Sequence, residues 1–272
     1  MPLFWLRVAL VLYGVGLIYA LVSLWGSRRV LSRITLPAVG LGVTFHFVSL
    51  VETALLSRTW APSSMHEMES LLGFLLMVFF FAVYGRYKAT APGVAVFPLV
   101  FLLTASAALG AAPSESALPL FVSAQWIYLH VGLILIGYSA LLFNFVASIL
   151  YLIQERTLKA KTVGGFWSRL PALATIDEIG YKCLLWGFPF MTLGLIAGSV
   201  LAEARYGPRY FADPKIVLSI LMWVVYTILL YTRWHVGWRG RRGAYLATFA
   251  FVAAMVAWAA NNLSQTHRFI AP

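Results

Sequence analysis

The chain has 272 residues, of which 61% are hydrophobic and 11% charged, with a mean hydropathy of +0.85. Soluble domains are about half apolar and about a quarter charged, so a water-soluble fold is excluded. The formal net charge of +11 would suggest nucleic acid in a soluble protein, but the basic residues sit in short loops without a long basic patch, which points to membrane orientation and no nucleic acid.

Eight apolar runs follow in chain order. The first, 3–25, is long enough for a ~30 Å hydrocarbon core and carries Arg7 within it, so it reads as a membrane helix and not as a cleaved signal. The second, 35–57, holds His46 near its middle, with Ser49 and Thr53 on the same face and Glu52 beside it. A loop with His66 leads to the third and fourth, 68–86 and 91–111. The fifth, 124–153, has His130 near one end, and His130, Gly137 and Asn144 recur every seven residues, with Ser148 on the same face. That small and polar stripe is expected to point into the bundle. The segment 162–178, with Phe166, Trp167 and Leu170 before Pro171, reads as an amphipathic piece lying in the interface. The sixth run, 179–202, contains Gly194 and Gly198, a small-xxx-small pair for close helix packing. It also holds the single cysteine, Cys183, which reads as a small filler and rules out an internal disulfide, a CxxC pair and a CxxCH heme-attachment motif. Runs seven and eight, 214–233 and 243–264, are followed by His235 and His267 respectively.

The basic residues alternate between the loops. Arg28, Arg29 and Arg33 follow the first run, Arg86 and Lys88 the third, Arg156, Lys159, Lys161 and Arg169 the fifth, and Arg233, Arg239, Arg241 and Arg242 the seventh. The opposite loops hold Arg58, Arg205, Arg209, Lys215 and Arg268. The expected fold is an all-α integral membrane protein, one transmembrane domain over 1–272, with about eight helices and both termini on the outer side. His66, His130 and His267 then gather at the outer face. Two imidazoles suit heme iron, which takes one or two axial ligands, better than zinc, which takes three or four. The loop Arg205-Tyr206-Gly207-Pro208-Arg209-Tyr210-Phe211 offers aromatic walls together with cations for propionates, or else an interfacial aromatic belt. GxSxG, HExxH, GxGxxG and P-loop patterns are absent.

These residues resemble the cytochrome c assembly proteins of the CcsA/HemX type, relatives of CcmC. The likeness covers most of the chain and is best over 124–272. WIYLHVGLILIGYSALL (126–142) is similar to the family's helix with its first external histidine, here His130. FPFMTLGLIAGSVLAEARYGPRYFADPK (188–215) is similar to the glycine-rich helix that enters the tryptophan-rich motif WGxxWxWDPK. Gly207, Asp213, Pro214 and Lys215 are kept there, while Tyr206, Tyr210 and Ala212 replace the tryptophans. GWRGRRGAY (237–245) looks like the family's cytoplasmic turn, and NNLSQTHRF (261–269) carries the second external histidine, His267. Upstream, His46, Arg58, Pro62 and Glu69-Ser70 look like an HxxxL…R…P…YES pattern, one residue out of step and with Met68 in place of Tyr. Where the family expects an intramembrane histidine in helix seven, Tyr231 stands, followed by Thr232-Arg233.

The resemblance implies non-covalent, b-type heme and a part in c-type cytochrome biogenesis at a bacterial cytoplasmic (inner) membrane. His130 and His267 would be the axial ligands, with Tyr206, Tyr210 and Asp213 against the porphyrin and Arg205 or Arg209 on a propionate. His46 and Tyr231 would form an inner site. Implied partners are membrane lipid, a second membrane-bound assembly subunit and apocytochrome c, with no catalytic activity of the chain's own. The alternative is a HemX-like regulator that touches a heme-pathway enzyme through the cytoplasmic loops 154–178 and 233–242. A solute transporter using His46 and Glu52 is disfavoured, because no inverted repeat or pair of broken helices is visible.

Overall fold

A computed structural model describes residues 2–25, 29–58, 60, 62, 64–110, 124–161 and 170–259. Among these the regular elements are all helical: α1 Pro2–Trp25, α2 Arg29–Ser57, α3 Met65–Tyr87, α4 Gly93–Leu109, α5 Ala124–Lys159, α6 Leu173–Tyr206, α7 Pro214–Trp234 and α8 Arg241–Ala259, with a 3-10 turn Gly207–Ala212 between α6 and α7. Seven of the helices are long and apolar enough to cross a membrane. The other, α4, has 17 residues, or about 25 Å at 1.5 Å per residue. Large apolar side chains such as Leu109, Trp186 and Phe249 stand exposed, as lipid-facing residues do in a multi-pass membrane protein.

The helices outrun the apolar segments where polar turns continue them. α5 extends to Lys159, whose ammonium lies 2.6 Å from Glu155 one turn earlier. α6 starts at Leu173, six residues ahead of the apolar run at 179, and its Glu178 pairs with Lys182 at 2.8 Å. Continuing the helix satisfies the backbone groups, and i,i+4 pairs support the solvated turns. Of the expected interfacial piece 162–178, residues 162–169 lie outside those described, and 173–178 belong to α6. α3 starts before the apolar run because Ser64 caps it, accepting from the Glu67 N–H at 3.2 Å. His66 therefore sits in the first turn of α3 and not in a loop, 3.6 Å from Glu69.

The helices group into two compact units, one of residues 1–116 with 153–172, the other of residues 117–152 with 173–272. In the first unit α1 packs on α2 and α4, and α4 packs on α3. Its core holds Leu76, Met77, Phe80, Val96, Phe97 and Val100. In the second unit α7 packs on α8 and α6. The face of α8 turned inward is a row of small residues, Ala247, Ala250, Ala254 and Ala257, set against Met222, Tyr226 and Leu229. Cys183 is buried as a free thiol in this unit.

Candidate functional site

The His130–Gly137–Asn144 stripe of α5 meets a matching row of glycines on α6. A Cβ added at Gly187 would lie 2.9 Å from the Ala140 Cβ, and one at Gly194 would lie 2.8 Å from the Ile134 side chain. Further along, Gly180 faces Asn144 and Ala147, each 3.3 Å from its would-be Cβ. Across the seam Gly137 abuts the backbone of Met191, where a Cβ would come within 2.9 Å of the amide nitrogen. The two backbones approach closely because small residues stand on both sides.

His130 is seated at one end of this seam. Its Nδ1 lies 2.7 Å from the Gly194 carbonyl oxygen. A carbonyl only accepts, so Nδ1 carries the proton and donates, and in the neutral ring Nε2 keeps a lone pair. Among the described residues nothing hydrogen-bonds Nε2. Gly198 makes room for the ring: a Cβ there would overlap it, 2.6 Å from Nδ1. An imidazole with Nδ1–H held by a backbone carbonyl and Nε2 open is the arrangement of a metal-ligating histidine with its supporting hydrogen bond in place.

The turn after α6 and the start of α7 lie at the same end. Asp213 is the N-cap of α7, its carboxylate accepting from the Lys215 N–H at 2.9 Å, and Pro214 takes the first helical position. The Asp-Pro-Lys triplet thus has a local structural cause. The positive charge of Lys215 acts on both Asp213 and the His130 ring. Tyr210, expected as a porphyrin wall, is 3% exposed and packs at 4.2 Å between centroids against Phe211, which is 56% exposed. Among the described residues of this loop the aromatic side chain offered outward is Phe211. The side chains of Arg205, Tyr206 and Arg209 lie outside the described part, and so does His267.

His46 belongs to the first unit. It is fully buried, with Nδ1 3.2 Å from the Tyr13 hydroxyl and Nε2 2.9 Å from Ser70 Oγ. Both ring nitrogens are engaged, so an iron would have to displace one of these partners. Gly42 accommodates the arrangement, since a Cβ there would lie 2.8 Å from the Tyr13 ring.

A family model described as Cytochrome C assembly protein matches residues 5–267. The chain belongs to this family. It is similar to the cytochrome c biogenesis protein CcsA of Guillardia theta, 26% identical over 281 residues, covering 94% of this chain and 89% of that one. The CcsA protein of Pyropia yezoensis is 25% identical, with 94% and 91% covered. That of a Synechococcus strain is 30% identical over a shorter stretch, 51% of this chain and 54% of its own. These matches lend no support to the regulatory, HemX-like alternative.

For a cytochrome c assembly protein the other end of α7 is quieter than its sequence suggests. Tyr231 is 57% exposed and lies 4.8 Å from the His235 ring, on the outward side of the helix. Arg233, of the Thr232-Arg233 pair that resembles the family's, has a structural role. Arg233 forms a two-pronged ion pair with Asp177, at 3.0 and 2.8 Å, and lies 5.0 Å over the Tyr181 ring. Asp177 also accepts from the Gly240 N–H at 3.2 Å, which ties the α7–α8 turn to the start of α6. The sequence reading missed Asp177, whose only signal was a carboxylate ahead of an apolar run.

Proposed function

We propose that this family member holds heme for c-type cytochrome biogenesis at the end of its second unit marked by His130. The observation that carries the reading is the Nδ1–H bond from His130 to the Gly194 carbonyl, which leaves Nε2 as a free lone pair for iron. Heme is cargo here and is bound non-covalently, as a b-type complex, before its attachment to apocytochrome c. His267 supplies the second axial ligand. Lys215, in the first turn of α7 beside the Asp213 cap, joins Arg205 and Arg209 as a cation for the propionates. Phe211 gives the porphyrin an apolar edge, backed by Tyr210 and accompanied by Tyr206. Asp213 acts by capping α7 and so setting the position of Lys215.

The basic loops argue for an even number of spans, eight with α4 as the shortest, and for both termini on the outer side of a bacterial cytoplasmic membrane. His130 and the α6–α7 turn then face outward, where apocytochrome c is met. A second membrane-bound assembly subunit completes the active unit, and the chain needs no covalent chemistry of its own. The test is an optical spectrum of the purified protein, oxidised and reduced, for the wild type and for His130→Ala with His267→Ala. A Soret band lost in the double variant is expected. A band that persists unchanged would remove His130 and His267 as ligands.

A further inference from the structure

The first unit holds a half-open cavity of about 630 Å3, lined by residues of α1, α2, α3 and α4 and by Trp60 and Pro62 between α2 and α3. Its wall is mostly apolar, with Phe47, Leu50, Leu71 and Phe74 among the lining side chains, and Ser70 is part of it. Behind Ser70 stands the buried chain Tyr13–His46–Ser70, drawn from three helices. Polar groups at membrane depth are costly and persist when they are paired or used.

Among the described residues the Tyr13 hydroxyl has no hydrogen-bond partner but His46. A neutral ring has one donor and one acceptor, so in either orientation one of the two hydroxyl hydrogens, of Tyr13 or of Ser70, lacks an acceptor among these residues. Tyr13 is 1% exposed and does not line the cavity, whereas Ser70 does, so the orientation that places the spare hydrogen where an acceptor can enter has Tyr13 donating to Nδ1. The neutral ring then carries its proton on Nε2, which donates to Ser70 Oγ. Ser70 accepts that bond, and its own hydroxyl hydrogen has no acceptor among the described residues. Ser70 is 6% exposed, and the space it borders is the cavity. A mostly apolar pocket with an oriented donor in its wall is suited to fix an acceptor on an apolar body. Arg7, His66 and Glu67 also line the wall.

We propose that this cavity binds a carbonyl-bearing amphiphile from the bilayer. Its carbonyl oxygen accepts from Ser70, and its aliphatic part lies against Phe47, Leu50, Leu71 and Phe74. The proposal is independent of the heme site. Two membrane sources share this chemistry, the ester carbonyl of an acyl lipid and the ring carbonyl of a tailed quinone.

The experiment uses the full-length protein, without heme, in detergent. It is titrated separately with a phospholipid and with a decyl-tailed benzoquinone, each labelled with 13C at the carbonyl, and the carbonyl stretch is read by infrared difference spectroscopy. One probe should show a bound carbonyl band moved to lower wavenumber, and which one does so names the source. Ser70→Ala should abolish that shift and weaken binding about two- to tenfold, the loss of one hydrogen bond. Ser70→Thr, which keeps the hydroxyl, should retain it. Absence of a shifted band with both probes would overturn the proposal. So would a band and affinity unchanged in a monodisperse Ser70→Ala variant.

Discussion

Gly198→Ala offers a sharp perturbation of the His130 seat. The added Cβ would lie 2.6 Å from Nδ1 and 3.3 Å from Nε2 of the ring. Carbon–nitrogen contacts settle at about 3.5 Å, so the ring must retreat by about 1 Å. The bond from Nδ1 to the Gly194 carbonyl is 2.7 Å long and would then pass the length at which a hydrogen bond counts as one. Loss of such a supporting bond costs a ligating histidine about 10- to 100-fold in metal affinity, or roughly 1.4 to 2.7 kcal/mol. The assay is a hemin titration followed at the Soret band, with the reduced spectrum recorded at saturation. Gly180→Ala is the control, because it adds a methyl to the same seam 3.3 Å from Ala147 and Asn144, away from His130. We expect a fall within the stated range for Gly198→Ala and less than about threefold for Gly180→Ala. Equal affinity and an unaltered spectrum in Gly198→Ala would refute the assignment of His130. A matching loss in both variants would show that general packing, and not the histidine seat, governs binding.

Two further outcomes are expected. Lys215→Met should weaken hemin about tenfold, as expected of an ionic hydrogen bond, yet leave the affinity for heme dimethyl ester unchanged, and Lys215→Arg should restore hemin binding; equal effects on acid and ester would show that Lys215 does not meet a propionate. Asp177→Asn removes the charged, two-pronged acceptor from Arg233, which is 7% exposed, and should cost about 2 kcal/mol, seen as a lower thermal midpoint in detergent; an unmoved midpoint would mean that the pair contributes nothing net.

The membrane class and the helix order were legible because hydrocarbon imposes length and apolarity on every span. The inward direction of the His130–Gly137–Asn144 stripe was legible for a related reason, since small and polar residues on an apolar helix seek a partner helix. The role of Gly198 was less so: a small-xxx-small pair announces close packing without saying that a histidine ring fills the space. Tyr13 could not be matched to His46 because α1 is apolar on all sides, and no periodicity marks the face that turns inward. Tyr210 and Phe211 are neighbours of similar chemistry, and only the path of the 3-10 turn decides that the first is buried and the second exposed. The same holds at Tyr231, where a position suggested by family likeness turns to the outside of α7.

The glycine seam between α5 and α6 has a mechanical consequence. Gly180, Gly187 and Gly194 recur at seven-residue intervals, with Leu184 and Met191 between them. Sliding α6 past α5 by one turn, about 5.4 Å, would carry the bulky side chains into gaps that only glycine fits. The two helices are therefore interlocked like meshed teeth and travel as one rod, with the height of His130 on that rod fixed. Movement at the His130 end would then come from the rod tilting as a whole or from the 3-10 turn and α7 moving against it.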